Sequence, residues 1–419
     1  MDSSRRCIPI AVAVVVLPAF AAFGQPPAQP PYWLGETRGP HSTGTIEELW
    51  VDDSRDERQT SDPGDKRHLM VRMWYPANTG PASGGARYAP SIDLYSQSVQ
   101  ERFAVAAERR TRSVMNADIK EGTQPYPVLV FNHGGGVPNF SSTFLTEYLA
   151  SEGYFVVSIG HPGSDGIERF PDGTMFVPDI PLPLSDDPTL TPRETYLTAC
   201  DDSDSQIGSA SDLGPALQES YAVEVDDISF VLDRLTEVNT APGNPFYERL
   251  DLERVGAFGW SAGGATAFQA AADESRVKAA VNLDGWLWCR PVESSGAAVP
   301  IMLVESTEPA DGASKEIVDP GIQELLAEVN RRTWQTLRLT EADWYRVDVL
   351  GTGHPSFSDT YFIETPPPGV LAQERAAALV QTLILEFFDK YLRGAEHSPI
   401  LSRDRSVPEI RIETLRPPQ

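Results

Sequence analysis

V-G-A-F-G-W-S-A-G-G, residues 255–264, decides how this chain is read. Val255 to Phe258 is a short apolar run of the kind that forms a buried strand, and it stops where Gly259 begins. Small residues on both sides of Ser261 suit a sharp strand-to-helix turn, whose strained backbone lifts one hydroxyl clear of a sheet. Ser261 is therefore the candidate nucleophile. The pattern G-x-S-x-G is weak on its own in a chain rich in glycine and serine, so its surroundings must carry the reading.

Those surroundings supply a second and a third catalytic group. An α/β-hydrolase orders its triad serine, acid, histidine, each on the loop after a strand. Beyond the helix that Ser261 opens (Ala265 to Glu274), Val277 to Leu283 reads as the next strand, with Asp284 at its carboxyl end. Trp344 to Leu350 reads as the last strand, and G-T-G-H-P-S-F-S-D follows, which puts His354 on the loop beyond it. Of the two histidines after Asp284, His397 lies in a polar tail, leaving His354 as the base. Val299 to Val304 is a further strand, followed by E-S-T-E-P-A-D, so Glu305, Glu308 and Asp311 compete with Asp284 for the acid.

The remaining requirement is a pair of backbone N–H groups aimed at the oxygen that gains charge. Pro127 to Phe131 is a third strand pattern and runs into His133-Gly134-Gly135-Gly136, where the glycines leave the main chain bare. The amides of Gly135 and of Ala262, the residue after the nucleophile, are the expected donors. The alternative for H-G-G-G alone, a flexible turn, loses weight beside the other three features.

Y-P-V-L-V-F-N-H-G-G-G (126–136), the strand Tyr154 to His161, the early R-M-W-Y-P (72–76), N-L-D-G-W (282–286) and the His-x-x-Phe-x-Asp pattern at His354, Phe357 and Asp359 together resemble the type II platelet-activating-factor acetylhydrolases. The resemblance spans residues 45 to 395. It implies hydrolysis of short or polar acyl esters by Ser261, Asp284 and His354, with Gly135 and Ala262 as oxyanion donors, and it favours Asp284 over the later acids. Two positions depart from the family: Gly135 stands where a bulkier apolar residue is usual, and Trp260 where histidine is common.

The expected reaction is carboxylic ester hydrolysis through an acyl-enzyme, with His354 taking the proton of Ser261 and Asp284 fixing the imidazole. A polyester or longer-chain lipid hydrolase is the alternative on the same fold, and a non-catalytic binding protein is disfavoured because all three triad types are present. No cofactor or metal is called for, since no H-E-x-x-H or C-x-x-C spacing occurs. A net charge of −26 argues against nucleic acid and anionic membrane surfaces as partners and suits a small-molecule or lipid ester substrate.

At 419 residues and 41% hydrophobic, the chain is long enough for one large α/β core. Alternating strand and helix patterns predict an α/β-hydrolase fold over 45–395, with a mostly parallel central sheet covered on both faces and an antiparallel edge from Thr45 to Val51 and Leu69 to Tyr75. Residues 1–24 read as a cleaved signal peptide, with Arg5 and Arg6 before an apolar stretch too short for a stable membrane span, so the protein is expected to be exported. Residues 25–44 read as a Pro-rich leader and 396–419 as a C-terminal tail. Residues 162–216, rich in Pro, Asp and Ser, read as a cap over the acyl pocket, with disorder as the alternative. Trp260, Trp286, Trp288 and Phe357 flank the triad residues and are expected to line that pocket. Export leaves Cys200 and Cys289 either bridged or as two buried thiols.

Overall fold

The protein is described here from a computed structural model, which covers residues 33–35, 39–57, 60, 62, 64–79, 85–176, 213–287, 290–307 and 320–414. The apolar runs become the centre of a sheet. Strands β4 (Tyr126–Asn132), β5 (Phe155–Ile159), β6 (Leu250–Trp260), β7 (Val277–Leu283), β8 (Ile301–Ser306) and β9 (Trp344–Val349) run parallel, and each has apolar residues on both faces. Such continuous apolar strands need cover on both sides. The long hairpin of β1 (Thr43–Asp56) and β2 (Lys66–Pro76) adds to β5 antiparallel, as the sequence pattern predicts. With β3 (Val114–Met115) and β10 (Ile410–Thr414), the strand order is β10-β9-β8-β7-β6-β4-β5-β2-β1-β3.

Side-chain alternation along the strands sorts the core into two layers. In β4, Leu129 and Phe131 join one layer, and Val128 and Val130 join the other. Helices α1 (Gln97–Ala107), α2 (Thr143–Ser151) and, near the carboxyl end of the chain, Gln373–Leu392 cover the first layer with Phe103, Phe144, Leu149, Leu383 and Phe387. Helix α3 (Leu213–Thr240) and α4 (Ala262–Asp273) cover the second with Ile228, Leu232, Ala267 and Phe268. Burying a side chain the size of Phe131 or Phe268 contributes about 1.5–3 kcal/mol, so a register slip of one residue would exchange the layers at large cost. The remaining helices are α5 (Val292–Ser295), α6 (Pro320–Leu339) and α7 (Thr360–Ile363), which makes Gln373–Leu392 helix α8.

The register that burial fixes also places the site. Asn132 pairs with Gly259, Gly259 with Asn282, and Asn282 with Leu303, forming one row near the carboxyl edge of the sheet. Just past that row the chain leaves the sheet at His133, Ser261 and Asp284, so their loops open side by side, as ligand sites do at the carboxyl ends of parallel strands.

Three boundaries differ from the sequence reading. The stretch taken as a polar tail contains β10, whose Ile410, Ile412 and Thr414 pair with Val349, Val347 and Tyr345 of β9. An edge strand with one covered face carries too few apolar residues to stand out by pattern. Part of the leader packs onto the domain: Trp33 and Leu34 are buried, and the Trp33 ring packs edge-on to Tyr88 at 5.0 Å. The first part of the proposed cap, up to Phe176, lies on the core through buried Ile167, Phe170 and Phe176. The signal segment 1–24 and the rest of the cap up to residue 212 lie outside the described residues, as do Cys200 and Cys289. Among the described residues no helix is long and apolar enough to cross a membrane.

Candidate active site

Ser261 sits at the tip of the turn from β6 to α4 with φ 57° and ψ −123°, a conformation costing a non-glycine residue about 1–3 kcal/mol. The fold holds it there. Its N–H donates to Leu283 O at 2.9 Å, and its carbonyl accepts from Gly264 and Ala265 at 2.9 and 3.2 Å. The turn is so tight that a Cβ on Gly263 would come within 2.1 Å of Asn132 O, and one on Gly259 within 2.3 Å of the Gly263 carbonyl. Glycine at these two positions is thus a condition of the strand-to-helix turn that raises the serine.

Asp284, the residue that follows β7, also has a positive φ, 59°. Its carboxylate is held from two sides. Ser306 at the end of β8 donates its N–H to Oδ1 at 3.0 Å and its hydroxyl to Oδ2 at 2.6 Å, and His354 Nδ1 lies 2.8 Å from Oδ2. Burial works to raise the Asp284 pKa, but His354 and then Ser306 outweigh it and hold the carboxyl below its ordinary value. A carboxylate at Nδ1 fixes the proton on that nitrogen and leaves Nε2 as the acceptor. Among the described residues no hydrogen bond engages His354 Nε2 or Ser261 Oγ. The rival Glu305 points elsewhere: its Oε1 accepts from Trp334 Nε1 at 2.9 Å and its Oε2 from Arg346 Nε at 2.5 Å. Glu308 and Asp311 lie outside the described residues.

His354 begins a short 3₁₀ turn (His354–Phe357) that is clamped from below. Trp260 Nε1 donates to the His354 carbonyl at 3.0 Å, and the two rings lie 5.0 Å apart at 37°. Two pocket-lining expectations change here. Phe357 is wholly buried, 0% exposed, so it wedges the histidine loop against the core and cannot face a ligand. Trp260 is only 6% exposed and serves first as a brace between the histidine and the oxyanion loop, where a Cβ on Gly134 would meet Trp260 Cε3 at 2.7 Å. Trp286 is half-buried beside Asp284, and Trp288 lies outside the described residues.

The glycine loop after β4 faces this pair. Gly135 and Gly136 are exposed, and an added Cβ would meet nothing nearer than Ala262 Cβ at 4.0 Å from Gly135 and nothing within 4 Å of Gly136. Gly135 N–H and Ala262 N–H bond to no acceptor among the described residues, and Ala262 opens α4, whose dipole favours negative charge. Sequence reasoning missed Ser306, which it passed over within E-S-T-E-P-A-D. It also left Asp359 without a role. That carboxylate accepts from Tyr88 Oη at 2.8 Å and from the N–H groups of Thr143 and Phe144 at 2.7 and 3.1 Å, so it caps α2 and ties the histidine loop to it. Among the described residues no cluster of three or more His, Cys, Asp and Glu side chains is arranged to hold a metal ion.

Comparison with known proteins finds similarity to several ester hydrolases. Residues 37–167 match the family model of platelet-activating factor acetylhydrolase, isoform II, and residues 222–347 match that of PET hydrolase-like proteins. A probable 1-alkyl-2-acetylglycerophosphocholine esterase from Arthroderma benhamiae is 25% identical over 181 residues, 41% of this chain and 36% of that protein. The platelet-activating factor acetylhydrolase of Cavia porcellus is 24% identical over 177 residues, 41% of this chain and 38% of that one. The match thus spans little more than a third of the length of these curated relatives. A ferulic acid esterase from Streptomyces cinnamoneus superposes with a TM-score of 0.64 and 26% identity, covering 91% of this chain and 99% of that one. The fold is that of an α/β-hydrolase, and the chain is similar to platelet-activating factor acetylhydrolase over residues 37–167 and to PET hydrolase-like proteins over residues 222–347.

Proposed function

We propose that this protein is a serine carboxylic ester hydrolase acting through an acyl-enzyme, with Ser261 as nucleophile, His354 as base and Asp284 as orienting acid. The observation that carries this reading is the 2.8 Å contact from His354 Nδ1 to Asp284 Oδ2, beside a Ser261 whose backbone is strained and whose hydroxyl bonds to no described residue. His354 Nε2 takes the serine proton as Oγ attacks the ester carbonyl, and Asp284 stabilises the imidazolium that forms. The N–H groups of Gly135 and Ala262 receive the oxyanion, a contribution of about 3–4 kcal/mol per donor in other serine hydrolases. His354 then returns the proton to the leaving alcohol, and water repeats the sequence on the acyl-enzyme.

The substrate reading is a short-chain acyl ester, supported by the acetylhydrolase matches. A second reading, a bulky aromatic ester or polyester, is favoured by one observation: the oxyanion loop carries no side chain at Gly135 or Gly136 and is exposed to solvent. The PET hydrolase-like match over 222–347 and the ferulic acid esterase neighbour support it. Both are tested by a p-nitrophenyl ester series from acetate to palmitate, with a feruloyl ester and an amorphous aromatic polyester, beside Ser261→Ala. Turnover falling with chain length and lost in the variant supports the short-acyl reading. Faster release from feruloyl ester or polyester moves it to the second, and an absence of serine-dependent activity throughout removes both. The chain is further read as exported, which an amino terminus at Gln25 in the secreted protein would support and an intact leader would contradict.

A further inference from the structure

Behind the oxyanion loop stands a second carboxylate–imidazole pair that the proposed reaction does not touch. His161, just past β5, and Asp227 on α3 are 2% and 0% exposed at their side chains, and His161 Nδ1 lies 2.9 Å from Asp227 Oδ2. Two further bonds of His161 end on the segment that forms the oxyanion loop, while its carbonyl accepts from the N–H groups of Ser164 and Asp165 at 3.0 and 3.1 Å within its own turn. Its Nε2 is 3.0 Å from Asn132 Oδ1, and its backbone N–H donates to His133 Nε2 at 3.0 Å. His133 Nδ1 in turn donates to Gly134 O at 2.8 Å, and Asn132 Nδ2 donates to Phe258 O at 3.3 Å. The far end of the loop is tied to the same turn, Gly136 N–H donating to Ser164 O at 2.6 Å. Gly135 is thus suspended between two anchors that both lead to the His161–Ser164 turn.

Asp227 is fixed from the other side. Arg67 donates from Nε to Oδ1 at 3.1 Å and from a terminal nitrogen to Oδ2 at 2.7 Å, and Arg55 donates to Oδ1 at 2.9 Å. Arg67 also donates to Glu57 at 2.7 Å. An ion cluster this buried is a poor way to gain stability, because desolvation consumes most of the attraction. What it does supply is a rigid frame, since a charged pair in a dry site tolerates little change in length or angle. Burial, reinforced by neighbouring His161, depresses the His133 pKa to about 4, consistent with a neutral ring whose Nε2 accepts.

We propose that Asp227 and His161 are positioning residues for the oxyanion hole, holding Asn132 to Gly136 so that Gly135 N–H points where the tetrahedral oxygen forms. The claim rests on the serine esterase reading and deepens it. His161→Gln and Asp227→Asn are each measured beside wild type and Arg234→Met, which breaks an exposed ion pair with Glu237 on the same helix. Active sites are counted with a fluorophosphonate, kcat and KM are taken on p-nitrophenyl acetate, and affinity is taken for a trifluoromethyl ketone that mimics the tetrahedral adduct. The expected result is a fall in kcat per titrated site of about 10- to 100-fold in His161→Gln and Asp227→Asn, smaller than outright loss of a donor. KM should stay within about threefold and ketone affinity should weaken by the same factor as kcat/KM, while Arg234→Met keeps wild-type kcat. Lowered thermal midpoints with unchanged kcat and ketone affinity would reduce the pair to a structural cluster and overturn the proposal. If one of the two variants does not fold, the other decides in the same way. Absence of Ser261-dependent turnover in wild type would instead defeat the parent reading.

Discussion

Two Asp–His pairs of nearly the same length, 2.8 Å for Asp284–His354 and 2.9 Å for Asp227–His161, stand on the two sides of the same glycine loop. What separates them is the second ring nitrogen. In His161 it is spent on Asn132 Oδ1, and the side chain is 2% exposed. In His354 no hydrogen bond among the described residues engages it, and the side chain is 34% exposed. A histidine with both nitrogens committed in a dry site is a brace, whereas one with a carboxylate on Nδ1 and an open Nε2 is a base. Under the proposed mechanism, identical residue types thus take opposite duties according to what surrounds the second nitrogen.

The largest effect expected from disturbing this contrast is Asp284→Asn. It keeps the shape but offers an N–H where His354 needs an acceptor, favouring the wrong tautomer, and kcat should fall by about 10³–10⁴ with thermal stability little changed. A loss under tenfold would mean that another group orients His354. The same change on the buried side, Asp227→Asn, should cost far less, as stated above. Ser306→Ala comes next: it removes the hydroxyl bond to Asp284 Oδ2 while leaving the Ser306 N–H bond, so kcat should drop about three- to tenfold at constant KM. Unchanged kcat would show that His354 and the Ser306 N–H hold the carboxylate without the hydroxyl.

The smallest effect concerns stability. Asp165, in the turn that anchors Gly136, is 0% exposed; among the described residues its Oδ1 accepts from Ile167 N–H at 3.0 Å and its Oδ2 finds no partner. Burial, opposed by the Ile167 bond and by His161, raises its pKa to about 7. A carboxyl that binds its proton more tightly when folded favours the native state at low pH. The sign is therefore a loss of stability as pH climbs from about 4, the unfolded value, to about 7, capped near 4 kcal/mol by the size of the shift. Asp165→Asn should flatten that decline, raising the thermal midpoint at pH 8 by a few degrees, roughly 1–2 kcal/mol, and leaving it nearly unchanged at pH 4. Parallel curves for wild type and variant would place the pH dependence elsewhere.

Much of the fold was legible because long apolar runs identify buried parallel strands, and their order along the chain dictates where Ser261, Asp284 and His354 emerge. The elbow was legible because only glycine fits where Gly259 and Gly263 face each other. The supporting residues were not. Asp227 and His161 are 66 positions apart, Asp284 and Ser306 22 apart, and Tyr88 and Asp359 271 apart. Nothing local marks a lone polar residue that acquires its partner only after the sheet has formed. Strand β10 escaped for the opposite reason, since its partner β9 supplies the pairing that its own sequence hardly advertises. Phe357 and Trp260 were found by position but misjudged in direction, because sequence proximity does not say which way a side chain turns.

The most direct test of the whole account is the site and rate of fluorophosphonate labelling, read by peptide mass mapping in wild type and Asp284→Asn. A single adduct on Ser261, forming at least 100-fold more slowly in the variant, is the outcome required if His354 is oriented by Asp284 to activate that serine. An adduct on another residue, or equal labelling rates in the two proteins, would contradict it.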